Sequence, residues 1–174
     1  MDVGKERLTT GKVASRAGVS IGTLYQYFPN KSALLQAVLE RHLEEFARVT
    51  ERICKEQQGR PLEEMATALV QTYLYAKMKD ARTSAALYAV GSDIDGVKIT
   101  KQIGSRMLST ISQLLASTSD SLTKEPEVIA DMLQSTMLGV GHRLVATASP
   151  EKYYERLRQE LVLMVCSYLK SCSA

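Results

Sequence analysis

The sequence predicts an all-α protein in two parts: an N-terminal helix-turn-helix head over residues 1–45 and a helical-bundle body over residues 46–174. Three observations predict it. Apolar residues recur at three- and four-residue steps along almost the whole chain, the period of a half-buried helix. Glycine, proline and short polar residues stand where those steps break, as helix stops and caps do. No stretch alternates apolar and polar side chains for the length of a strand. At 174 residues, 45% of them hydrophobic and 24% charged, the chain has a soluble globular balance and enough apolar side chains for a substantial core.

Thr10 is the expected N-cap of the first helix, which carries Val13, Ala14 and Ala17 on one face and stops at Gly18. Ser20 caps a short second helix, Ile21 to Phe28, ended by Pro29-Asn30. Asn30 caps a long third helix to about Gln58, striped by Leu35, Leu39, Leu43, Phe46, Val49 and Ile53. Gly59-Arg60-Pro61 breaks the pattern, and a helix from about Leu62 to Lys79 follows with Met65, Leu69, Tyr73 and Ala76 in line. Ala81 to Val90 reads as a short helix closed by Gly91, and Asp93 to Gly96 as a turn. Val97 to Ala116 aligns Ile99, Ile103, Met107, Ile111 and Leu114. After the polar Ser117 to Ser121, Pro126 opens a helix to about Ala148, and Pro150 opens the last one, to about Ser171. Short connections imply antiparallel neighbours.

Several classes of function find no support. No apolar run approaches the roughly 20 residues that span a bilayer, and Met1 to Gly11 has no apolar signal core. The expectation is a cytoplasmic protein without membrane partners. Cys54, Cys166 and Cys172 form no Cys-x-x-Cys pair and read as ordinary reduced thiols, with redox sensing as the alternative. His42 and His142 lack metal spacing, no glycine-rich loop suits a phosphate, and nothing marks a nucleophile. The expectation is no metal, no cofactor and no enzyme.

Charge is more informative. Lys5, Arg7, Lys12, Arg16 and Lys31, set against Asp2 and Glu6, account for the chain's whole net charge of +3. From Arg7 to Leu39 there is no acidic residue. A small basic head on a neutral body suits phosphate, although such charge also simply solvates a face.

The run Thr9-Thr10, then Val13-Ala-x-x-Ala-Gly-Val-Ser-x-Gly-Thr-Leu-Tyr-x-Tyr-Phe-x-Asn-Lys-x-x-Leu-Leu35, resembles the DNA-binding domain of the TetR family of transcriptional repressors. The resemblance implies a recognition helix, Ile21 to Phe28, in the major groove of double-stranded operator DNA. Thr10 and Ser20 cap helices and, with free amides, hold phosphates. Gly22 lets the backbone approach DNA closely. Thr23 and Gln26 reach base edges, where glutamine offers adenine a bidentate pattern. Tyr25 and Tyr27 contact phosphate or thymine methyls, Tyr27 having core packing as its alternative. Lys31 supplies a phosphate contact, and Lys12 partly compensates for Ile21, where many relatives are basic. Leu24 and Phe28 are core. The family has a full helix before Thr9-Thr10, of which Met1 to Leu8 supply at most a fragment. The expectation is that the true start lies upstream or that the chain is a truncated product. The main reading is a ligand-responsive repressor; the alternative is a dimerising or ligand-binding module that no longer binds DNA.

In the body, Tyr73, Tyr75, Met78, Tyr88, Met107, Ile111, Met132 and His142 suit an adaptable pocket for a small apolar or amphipathic effector, or plain core packing. The last two helices carry broad apolar faces. Met137, Gly141, Leu144, Leu157, Leu161, Met164 and Tyr168 are the expected homodimer surface, with completion of the monomer core as the alternative. Gly139 and Gly141 lie mid-helix, where each costs about 1 kcal/mol against alanine. Close approach of another helix is the simplest compensation.

Overall fold

Local capping chemistry sets the helix boundaries. The computed structural model describes residues 9–91 and 94–174. Met1 to Leu8, which bear on the first-helix expectation, lie outside the described residues, as does Asp93. The described helices are α1 (Thr10–Ala17), α2 (Ile21–Tyr27), α3 (Lys31–Glu56), α4 (Leu62–Lys79), α5 (Ala81–Gly91), α6 (Ile94–Ala116), α7 (Pro126–Ala146) and α8 (Pro150–Lys170). The expected turn ending at Gly96 is corrected: Ile94 to Gly96 are already helical. The Gly96 carbonyl accepts a bond from the Thr100 hydroxyl at 2.8 Å. Weak local turn preference gives way to a helix whose later turns are anchored in the core.

Three apolar clusters lie along α3. Near its start, Leu34 joins Ala14 of α1 and Leu24 of α2, with Val13 and Phe28 against them. Next, Leu39 packs with Leu87 and Val90 of α5. Farther on, Phe46 and Cys54 enter the main core with α4, α6, α7 and α8. There Met65, Leu74, Ile111, Leu114, Ile129, Leu144 and Leu169 are essentially sealed from water. One continuous helix therefore belongs to both the head and the body.

Polar ties fix the body's ends. Pro61 gives α4 no side-chain cap. The Leu62 amide instead donates to the Asp120 carboxylate at 2.8 Å, so the loop after α6 caps α4. The Gly59 amide donates to Ser117 Oγ at 3.2 Å, and the Thr118 hydroxyl to the Arg60 carbonyl at 3.0 Å. Arg106 of α6 grips Glu44 of α3 through two nitrogens, at 2.7 and 3.1 Å, and reaches Glu51 at 3.1 Å. All three cysteines are buried and unpaired; burial pushes the Cys54 thiol up to about 12. No described helix is long and apolar enough to cross a membrane.

The broad faces of α7 and α8 divide differently from the expectation. Met137, Gly141, Leu144 and Leu161 are buried inside the subunit, so they are not a surface for a second copy. Leu157 and Tyr168 are half-buried against the same core, and only Met164 is exposed. The reason lies in α4: its Tyr73 ring lies so close to α7 that a β-carbon on Gly141 would sit 2.5 Å from the phenol oxygen. Gly141 thus makes room within the chain, whereas nothing lies within 4 Å of a β-carbon on Gly139.

Candidate functional site

The head is built from its turn outward. Gly18 takes a left-handed backbone, φ 69°, at the C-cap of α1. The amides of Gly18 and Val19 fold back onto Ser15 and Ala14. This places Ser20, in extended conformation, at the N-cap of α2. Its hydroxyl accepts from the Thr23 amide at 2.9 Å and lies 2.9 Å from the Thr23 hydroxyl. Leu24 plugs α2 into the head's core. With that residue inward, Gly22, Tyr25, Gln26 and Tyr27 are exposed and Thr23 is half-buried. Tyr27, 76% exposed, is a surface residue and no part of the core.

Thr9, not Thr10, caps α1. Thr9 is the extended residue, and its hydroxyl accepts from the Lys12 amide. Thr10 is the first helical residue, and its hydroxyl lies 3.0 Å from the Tyr25 hydroxyl. That contact ties the start of α1 to α2. Helix geometry leaves the amides of Thr10 and Gly11 without an intrahelical acceptor, beside Tyr25. Asn30 caps α3 through the Ala33 amide at 2.8 Å, next to half-buried Lys31. Lys12 and Arg16 are exposed on α1. Gly22 has an ordinary helical backbone, and its nearest neighbour to an added β-carbon is Ser20 Oγ at 3.7 Å. Among the described residues nothing crowds that position, and the missing side chain leaves the backbone open there.

The body holds a second constellation. Lys77, on α4, is only 6% exposed. Its ammonium lies 4.4 Å from the centre of the Phe46 ring, 5.1 Å from that of Tyr88 and 5.7 Å from that of Tyr73. Burial lowers its pKa to about 8. The Tyr73 and Tyr88 hydroxyls face one another, are sealed from water, and neither finds a well-aligned hydrogen-bond partner. Burial raises both phenols, Tyr73 far above its usual range. His42 borders the group, edge-on to Phe46 with ring centres 5.1 Å apart and 3.2 Å from the Ser84 hydroxyl. Burial and then the Lys77 charge lower its pKa. His142, exposed on α7, stacks on Tyr88 at 4.0 Å between ring centres.

Beside Tyr73 lies a cavity of about 20 Å³, room for roughly one water. Met107, Ile111, Met137, Leu138 and Gln134 help line it. Gln134 is buried and donates to the Gly104 carbonyl at 3.0 Å. Of the residues expected around an effector, Tyr73, Met107 and Ile111 line this cavity. Tyr88 and His142 belong to the lysine cluster. Met78 packs half-buried on the main core. Tyr75 and Met132, 67% and 50% exposed, stand at the surface and do not line this cavity. Lys77 and Gln134 escaped the sequence reading. Their signal is register: Val70, Tyr73 and Lys77 follow at three and four residues on one face of α4.

A helix-turn-helix head carried by an all-helical body defines a regulator that works on DNA. Residues 1–38 match the family model described as bacterial regulatory proteins of the tetR family, and residues 61–169 that of the Tetracyclin repressor-like C-terminal domain. The chain belongs to the TetR family of DNA-binding transcriptional regulators. Among curated proteins it is similar to the nucleoid occlusion factor SlmA of Pasteurella multocida, 41% identical over 56 residues, which are 30% of this chain and 27% of that protein. SlmA of Haemophilus ducreyi is 50% identical over 38 residues, 22% of this chain and 19% of that one. The chain thus spans at most 27% of the length of these two relatives. A transcriptional regulator from Rhodococcus sp. Rha1 shares the fold with a TM-score of 0.74, at 22% identity over 98% of this chain and 92% of that one. FadR from Bacillus subtilis, in complex with stearoyl-CoA, superposes with a TM-score of 0.68 at 18% identity, covering 91% and 89% of the two chains.

Proposed function

We propose that the protein is a cytoplasmic homodimeric repressor. Its head, residues 1–45, holds a partly palindromic operator. Its body, residues 46–174, pairs the subunits and releases the DNA when a small amphipathic effector binds. The observation that carries the DNA reading is α2. Buried Leu24 and a Ser20 cap hold it, while Gly22, Gln26 and Tyr27 stand exposed within an acid-free stretch. Thr23, Tyr25 and Gln26 read or position the bases. Thr10, Lys12, Ser20 and Lys31 hold the phosphates.

For pairing, the support is the outward face of α7 and α8. Val128, Met132, Ser135 and Gly139 are exposed and share one side of α7. Tyr153, half-buried Leu157 and Met164 share one side of α8. Two such faces, repeated by a two-fold axis, form a self-complementary surface.

The test is retention of the DNA upstream of the protein's own coding sequence, at low and high salt. Specific binding is expected, weakening with salt by a slope of about −0.9 per phosphate neutralised. Gln26→Ala should relax sequence preference, and Lys31→Ala should lower affinity evenly and reduce the slope. A protein that dimerises but retains no DNA in a salt-dependent way would replace this reading with a dimerising module.

A further inference from the structure

The buried cluster around Lys77 contains donors and lacks the acceptor they need. The lysine ammonium carries three N–H groups, and Tyr73 and Tyr88 each carry one O–H. Among the described residues no carboxylate pairs with Lys77, whose only partners are ring faces. The two phenol hydroxyls face one another, and neither has a well-aligned hydrogen-bond partner. Even if one phenol donates to the other, a phenolic O–H and the ammonium remain unanswered. His42 is engaged with Ser84. Asp80 and Glu45 are close enough to raise the His42 pKa, yet neither makes an ion pair with Lys77. A buried positive charge without a counter-ion is rare in a folded core, because a charge removed from water is normally paired. Chemically, what completes the set is one anion with two or more acceptor oxygens.

The surroundings set the rest of the ligand. Toward the interior, Tyr73 borders the small cavity, lined mostly by apolar side chains such as Met107, Ile111, Met137 and Leu138, with Thr50, Thr72 and Gln134 among them. Toward solvent, Tyr88 is half-buried and stacks on exposed His142, so this ring is the part of the cage nearest the surface. Methionine side chains, here Met107 and Met137, adapt readily around an inserted chain.

We infer that the body binds an amphipathic carboxylate: its head on Lys77, Tyr73 and Tyr88, its apolar chain among Met107, Ile111 and Met137. This rests on the proposed effector-responsive reading and gives that effector a chemical class. The negative head takes over the ammonium from the rings, and the phenols donate to its oxygens. The chain enters the small cavity beside Tyr73.

The experiment is calorimetric titration of the full chain with octanoate, 1-octanol and octylamine at pH 7, repeated with Lys77→Met and Tyr88→Phe. The expected result is one octanoate per subunit, bound about tenfold or more tightly than octanol, as a charge-assisted contact predicts. Lys77→Met should bring acid and alcohol to within about twofold of each other, and Tyr88→Phe should weaken octanoate by a few fold without that levelling. Circular dichroism of both variants confirms that they are folded. The inference is overturned if no probe binds, if the three bind wild type alike, or if folded Lys77→Met still prefers the acid. Operator release by octanoate is measured separately. Octanoate binding that depends on Lys77 but leaves the operator bound supports the site and overturns the effector-responsive reading.

Discussion

Replacing Lys77 with methionine should stabilise the protein at neutral pH, although it removes a charge from the centre of the candidate effector site. The lysine stem is packed in the core, and methionine, of similar length and shape, keeps that packing. Burial takes the lysine from 10.5 to about 8. At about 1.4 kcal/mol per unit, holding it protonated costs the fold roughly 3 kcal/mol below pH 8. Attraction to the three rings returns about 1 kcal/mol of that, so K77M should be about 2 kcal/mol more stable at pH 7. The pH dependence fixes the sign. Between the folded value near 8 and the unfolded value near 10.5, the unfolded chain holds a proton that the folded chain has shed. Stability therefore rises with pH across that window in the wild type and not in the variant. The advantage of K77M should shrink by about 1 kcal/mol between pH 7 and pH 9. Urea unfolding of both proteins, followed by helical circular dichroism at the two pH values, measures it. A variant less stable than wild type at pH 7, or an advantage equal at both pH values, would refute the assignment of Lys77 as a buried, unpaired cation.

Four further outcomes are expected. Gly141→Ala drives a β-carbon to 2.5 Å from the Tyr73 phenol oxygen and 2.7 Å from its Cε1; thermal melts should show a loss of about 1–3 kcal/mol. Gly139→Ala meets nothing within the subunit and should stabilise an isolated subunit by up to about 1 kcal/mol, while a sedimentation titration shows weaker pairing. Gly22→Ala should leave the head as stable or up to about 1 kcal/mol more so, yet lower operator affinity in a gel-retention assay, since its β-carbon points at no protein atom closer than 3.7 Å. Asp120→Ala removes the acceptor 2.8 Å from the Leu62 amide and should cost about 1 kcal/mol by chemical unfolding, with Asp120→Asn recovering most of it.

The head was legible because its determinants are local. Gly18 needs φ above zero, Ser20 and Asn30 are short side chains that reach back to an amide, and Pro29 ends α2. Even there, adjacent Thr9 and Thr10 offered the same hydroxyl, and only the backbone angles decide which one caps. The body was legible as helices but not as surfaces. α7 is apolar on more than one side, and which side the chain itself consumes is set by α4, far away in sequence. The ring of Tyr73 meeting Gly141 claims one side for the core and leaves Met132 and Gly139 outside. Lys77 hid for a different reason. A lysine in the last turn of a helix normally reads as a favourable match to the helix dipole, and only its spacing from Tyr73 betrays that it turns inward.

The placement of α7 gives this protein a partition rather than a wire. On its inner side Gly141 abuts Tyr73, while His142, exposed and three residues on from Gly139, stacks on Tyr88 at the edge between the two sides. On its outer side, within the same turn, Gly139 faces open space, the face proposed for pairing. The two environments are separated by the girth of a single helix, about 10 Å. Close packing leaves little slack in such a wall. In the proposed dimer, a molecule that pushes the two phenols apart meets α7, and a shift of α7 re-sets the angle between the subunits.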